Sequence, residues 1–160
     1  MRKILTAIVA LVSLLSTVPL VMPATSDVTA SVEVQTWCSL QLSTSSISFG
    51  SMIPDQIVDG INVQDVTASQ TAAANVDAVL DVFGNDWQTS SGFLVGQTHW
   101  STTLTAYSSM NPLLSSATTP HVDSALLPTE SDTVHFALQV PAHQAVASYT
   151  QTITFEVSCG

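Results

Sequence analysis

The chain has 160 residues, 12 of them acidic and only two basic, for a formal net charge of −10 with neutral histidines. Both basic residues, Arg2 and Lys3, stand at the very start, so the rest of the chain contains no lysine or arginine. Such a surface repels phosphate backbones and anionic headgroups, which excludes nucleic acid as a partner. A chain that is 46% hydrophobic and only 9% charged is unlike an acidic disordered tail and reads as a folded protein.

In chain order, Arg2 and Lys3 are followed by an apolar run over residues 4–22 and then by Pro23, Ala24, Thr25 and Ser26. That order is the layout of a cleavable signal peptide, with cleavage expected after Ala24 and Ala30 as the second position. The rival reading is a retained membrane anchor, since the run approaches the ~20 residues that span a bilayer. Pro19 and Pro23 interrupt the run and no positive charge follows it, so cleavage is expected, leaving no membrane attachment. The processed chain is then a secreted domain with carboxylates and no lysine or arginine. It offers no lysine for isopeptide cross-links.

Residues 25–37 alternate cleanly, with Val28, Ala30, Val32 and Val34 on one face, and predict a strand. Short strands are predicted over 38–43 and 47–49. Residues 50–60 read as loop, with Pro54, Asp55, Asp59 and Gly60. Alternation resumes over 61–68 and 75–82, followed by a turn at Phe83, Gly84, Asn85 and Asp86. Further strands are predicted over 92–95, 100–107, 133–140 and 149–157, and residues 108–129 read as a long surface loop. Two stretches, 71–74 and 112–116, could pass for helix, but both are too short to matter. Many short strands separated by polar turns indicate an all-β fold, an antiparallel β-sandwich of Ig-like or jelly-roll-like type. The organisation expected is a signal peptide over 1–24, an N-terminal strand over 25–37 and one sandwich domain over 38–160.

Two cysteines in an exported chain point to one disulfide, Cys38 to Cys159. Each lies in phase with the apolar set of its strand, Leu40 and Leu42 in one case and Ile153, Phe155 and Val157 in the other. Two separate buried thiols are the alternative; with no CxxC spacing, zinc and thioredoxin-like roles are not expected.

Catalysis is not expected. No GxSxG elbow brings Ser, His and Asp together, and His99, His121, His135 and His143 stand in separate segments without HxH or HxxxH spacing. His135 is out of phase with Val134, Phe136 and Leu138 and should face solvent. No cofactor is expected. For calcium, the weak candidates are Asp81 with Asn85 and Asp86 around a turn. Asp77 and Asp81, four residues apart on a strand, lie about 13 Å from each other and cannot share an ion. The stretch Asp55, Asp59, Gly60, Asn62, Asp65 fails the spacing of a calcium-binding EF-hand loop. Trp37, Trp87 and Trp100 are candidate platforms for sugar, against the plain alternative of core or edge packing.

Two stretches carry a resemblance. Ile47, Ser48, Phe49, Gly50, Ser51, Met52, Ile53 and Pro54, followed by the segment 73–81, resemble the front half of TasA-type secreted β-sandwich domains. Val140 and Pro141, followed by the segment 147–155, are similar to their closing hairpin, although Ala147 and Ser148 stand where those domains carry Gly before the Tyr. The family includes biofilm fibre proteins and archaeal bundling pilins. The resemblance implies a filament subunit that polymerises head to tail with copies of itself by donor-strand exchange. Residues 25–37 would be the donor strand, and Val28, Ala30, Val32 and Val34 the side chains inserted into the neighbour's core. The residues permit this on their own terms, because the segment lies outside the Cys38–Cys159 loop and could reach about 40 Å at ~3.3 Å per residue. The alternatives are that the same segment is strand one of its own sandwich, and that the protein is a monomeric binding module for surface glycan or calcium.

Overall fold

A computed structural model of the protein describes residues 30–88 and 92–160. The expected signal peptide, residues 1–24, and the first part of the expected N-terminal strand, including Val28, lie outside the described residues. The chain divides into two units, Met1–Val34 and Gln35–Gly160.

In the first unit, residues 30–34 form no strand, and Val32 and Val34 are 88% and 76% exposed. Residues 35–39, at the start of the second unit, are likewise not in a strand. The alternation over 25–37 is therefore not realised as a paired strand at 30–37. Alternation defines an apolar face, but a strand also needs a neighbouring edge for its backbone hydrogen bonds.

The second unit carries nine strands among its described residues: β1 (Leu40–Leu42), β2 (Ile57–Val58), β3 (Gln64–Gln70), β4 (Ala78–Gly84), β5 (Thr98–Ser101), β6 (Asn111–Pro112), β7 (Asp123–Leu126), β8 (Ser131–Gln139) and β9 (Ile153–Cys159). They form two sheets, one ordered β1-β3-β8-β5-β6 with β2 also on β8, the other ordered β7-β4-β9. Every pairing is antiparallel. The sheets face each other as an all-β sandwich. Val66, Trp100, Val134 and Phe136 from the larger sheet meet Leu80, Val82 and Leu126 from the smaller. Leu80, Leu126 and Phe136 are wholly excluded from solvent, and each such side chain contributes about 1.5–3 kcal/mol through burial.

Several expected elements differ. Residues 108–129 are not a surface loop throughout, for they hold β6 and β7 and bury Met110, Leu113, Val122 and Leu126. Residues 47–49 are not a strand, although Ile47 and Phe49 pack against the core. Residues 92–95 do not form a strand, the chain making a 3-10 turn at Val95–Gln97 instead. The strand expected over 100–107 stops at Ser101. β4 runs on through Phe83 to Gly84 before it turns. A β-carbon on Gly84 would stand 2.8 Å from Leu113 Cδ2 and 2.9 Å from the Thr152 carbonyl, so only glycine fits this close approach.

The register gives the sandwich two distinct ends. Ala78 pairs with Cys159 and Gly84 with Ile153, so β9 runs from the Gly84 end to the Ala78 end. At the Ala78 end Cys38 and Cys159 are joined in a disulfide. Cys159 is exposed although Ala78, its partner across the ladder, is buried, because β9 lies at the side of its sheet while β4 lies between two strands. Asn75 fixes the chain that leads into Cys38: its Oδ1 accepts from Trp37 N–H at 2.8 Å, its Nδ2 donates to Gln35 O at 2.9 Å, and its own N–H donates to Trp37 O. At the other end β8 finishes at Gln139, and Asp55 N–H donates to Val140 O.

Candidate functional site

Beside the start of β9, at the end opposite the disulfide, the second unit has a groove of about 550 Å³. One wall comes from residues 47–54, the other from residues 144–151, and no charged side chain lines it among the described residues. An aromatic row runs along it. Phe49 is 6.3 Å from Trp87, Trp87 stacks on Phe93 at 5.2 Å, and Phe93 meets Tyr149 at 5.3 Å between ring centres. Three polar groups hold this end of the two sheets together. Trp87 Nε1 donates to Thr98 Oγ1, the Thr98 hydroxyl donates to Gln151 Oε1 at 2.8 Å, and Gln151 Nε2 donates to Asn85 O. Thr98 is wholly buried, so satisfying its hydroxyl avoids the penalty of an unmet buried donor. Tyr149 closes the far wall, its hydroxyl donating to Ala145 O and accepting from Gln144 Nε2.

The groove adjoins a sheet edge. Among the described residues β9 is the last strand of its sheet. Asn85 N–H donates to Thr152 O, and Gly160 N–H donates to Asp77 O, which fixes the phase of the ladder. Even-numbered residues of β9 therefore turn their backbone groups to β4, and Ile153, Phe155 and Val157 turn theirs to the free edge. The same three residues face the core, where Phe155 meets Phe136 edge-on at 6.0 Å, yet all three are only half-buried. A free edge whose inward side chains are incompletely covered is the arrangement that accepts an added strand.

The residues singled out in the sequence fall into separate places. Ala30, Val32 and Val34 stand in the first unit. The weak calcium candidates do not form one site. Asp81 Oδ1 contacts His121 Nδ1 at 2.6 Å, Asn85 Oδ1 accepts from Thr152 N–H, and Asp86 Oδ1 accepts from Val95 N–H. Among the described residues no cluster of three His, Cys, Asp or Glu side chains could hold a metal ion. Of the three tryptophans, Trp100 is core at 5% exposure, Trp87 belongs to the aromatic row, and Trp37 is exposed beside Cys38.

His135 does not face open solvent: its side chain is 17% exposed and its Nδ1 lies 2.7 Å from Asp65 Oδ1. It points to the outer face of its sheet, as its phase requires, but Asp65 is its direct cross-strand partner and covers it. His99 stacks on Tyr107 and contacts its carbonyl. Among the described residues no hydroxyl is hydrogen-bonded to a histidine ring. Burial pushes the Tyr107 phenol up. Burial, followed by the neighbouring Asp123 carboxylate, pushes the Asp132 carboxyl up on the outer part of β8.

The sequence did not show a groove as such, because its walls come from segments about a hundred residues apart, although these overlap the two stretches that carry the resemblance, 47–54 and 147–155. No family model matches the chain, and no curated protein matches it in sequence.

Proposed function

We propose that the processed chain is a structural subunit of an extracellular filament, a pilus or biofilm fibre, built head to tail by strand addition. The observation that supports this reading best is the uncharged groove beside the free edge of β9, set at the end of the second unit opposite the root of the N-terminal arm. The arm carries what such a groove selects: alternating Ala30, Val32 and Val34, with Val28 before them, and polar residues between. The edge supplies backbone hydrogen bonds and the groove takes alternate side chains, which is how added strands gain affinity and specificity. The Cys38–Cys159 bridge and the Asn75 clamp hold the root, so the arm can leave without loosening the sandwich. A contact that joins opposite ends of successive copies does not close on itself and produces a fibre. Secretion, through the signal-like start, gives the fibre its setting.

Negative-stain microscopy of the purified processed protein tests this. Fibres of uniform width are expected. A preparation that stays monodisperse at high concentration rules the reading out and returns the groove to a glycan-binding role, for which its aromatic row is the relevant feature.

A further inference from the structure

Resting on that reading, we infer that the arm enters the neighbour's groove antiparallel to β9, with Val34 opposite Ile153, Val32 opposite Phe155 and Ala30 opposite Val157. The two ends of the sandwich dictate the direction. The arm leaves its own body at the disulfide end, beside the last residue of β9. The neighbour's groove opens at the first residue of β9. An arm arriving from another copy therefore enters with residue 34 foremost in position at the groove mouth and its earlier residues deeper. Its chain direction then opposes that of β9. The arm of the same copy would have to run the other way, from Cys38 up along β9 from its end to its start. That arrangement is parallel. Strand direction thus separates exchange between copies from docking within one copy.

The phase of the backbone fixes the rest. The odd-numbered residues of β9 turn their hydrogen-bonding groups to the free edge, and of these Ile153, Phe155 and Val157 point their side chains toward the core. Residues directly opposite in an antiparallel pair share a face. The apolar even-numbered residues of the arm must therefore stand opposite the odd-numbered residues of β9. Charge narrows the choice among the registers left. Sliding the arm two residues toward the disulfide end sets Glu33 against Glu156, a direct like-charge pair that destabilises. Sliding it two residues the other way sets Val34 against Gln151, whose amide is already bonded to the buried Thr98. The register stated places Glu33 opposite Thr154 and Ser31 opposite Glu156, and covers all three half-buried residues of the edge. Seven residues of β9 span about 23 Å, and residues 28–34 of the arm span the same length.

Cysteine trapping reads this out. Ser31 and Glu156 would face solvent as a directly opposite, non-hydrogen-bonded pair, the closer kind, with β-carbons near the ~4.5 Å upper end of what a disulfide spans. In the double variant Ser31→Cys, Glu156→Cys, oxidised fibres should give a ladder of covalent multimers in denaturing gels, collapsing to monomer with reductant. A second double variant, Glu33→Cys with Thr154→Cys, should do the same. Parallel docking within one copy would place residue 31 level with residue 152, about 13 Å from residue 156. A link formed in Ser31→Cys, Thr152→Cys within single chains, with no ladder from the first two variants, overturns the antiparallel register. Fibres that form normally yet give no ladder in either double variant overturn it too, while leaving strand addition standing. Unsubstituted protein that forms no fibres overturns the reading beneath it.

Discussion

Removing residues 25–34 should abolish fibres and leave a soluble, folded body. Among the described residues, no core residue belongs to that segment: the buried cluster is built from Val66, Leu80, Trp100, Leu126, Phe136 and their neighbours. The Asn75 clamp and the disulfide hold residues from Gln35 onward and survive the truncation. The thermal midpoint of the truncated body should rise when a synthetic peptide of residues 25–35 is added, because a ligand that binds only the folded state stabilises it by RT ln(1 + [L]/Kd), about 2.7 kcal/mol at a hundredfold excess over Kd. The single substitution Val32→Asp should act like the truncation. It would carry a carboxylate to a position opposite Phe155 with no lysine or arginine after Lys3 to pair with it, and an unpaired buried charge costs several kcal/mol. Fibres that persist in Val32→Asp, seen by sedimentation or microscopy, would remove the arm from the contact.

The double variant Cys38→Ser, Cys159→Ser should lose about 4–5 kcal/mol of stability, because the bridge closes a loop with a sequence separation of 121. For a body of this size that corresponds to a drop of roughly 15 °C in thermal midpoint. The bridge also sets where the arm begins. Without it the chain before Cys38 keeps the three Asn75 hydrogen bonds, and the last residues of β9 lose their tether to β1's approach. Fibre formation should therefore slow even at temperatures where the body remains folded. A midpoint that moves by less than about 3 °C would show that the closed loop constrains little.

The strands legible in the sequence were those with long alternation and a buried inner face. β4, β8 and β9 fall close to the expected 75–82, 133–140 and 149–157 because Leu80, Val134, Phe136 and Phe155 mark the inward phase clearly. β6 and β7 were not legible. β6 has two residues, one of them Pro112, at the edge of its sheet, and β7 reads Asp, Ser, Ala, Leu with one buried side chain. Their place is set by the rest of the core, through Leu113, Val122 and Leu126, and not by local pattern. Residues 47–49 show the opposite failure. Ile47 and Phe49 do pack against the core, but among the described residues no neighbouring strand meets their backbone.

The same physics separates the legible from the illegible at the site. The pairing of Cys38 with Cys159 was legible because the chain has two cysteines and no others, whereas the alternation leading into Cys38 is not matched by a strand over residues 30–37. The groove was not legible, because it is a product of topology: among the described residues β9 ends its sheet, and its inward residues are left half-covered. The partners of the calcium candidates were equally hidden from local sequence. Asp81, Asn85 and Asp86 are near in sequence, but β4 turns Asp81 toward His121 while Asn85 and Asp86 fasten the turn to Thr152 and Val95.

Which copy's arm lies along β9 separates exchange from self-docking. The structure of the assembled fibre at near-atomic resolution answers that directly. Residues 28–34 of one subunit are expected to be hydrogen-bonded to the Ile153, Phe155 and Val157 edge of the next, with Val34 at the aromatic mouth. An arm lying along β9 of its own chain, with subunits joined through another surface, would contradict it.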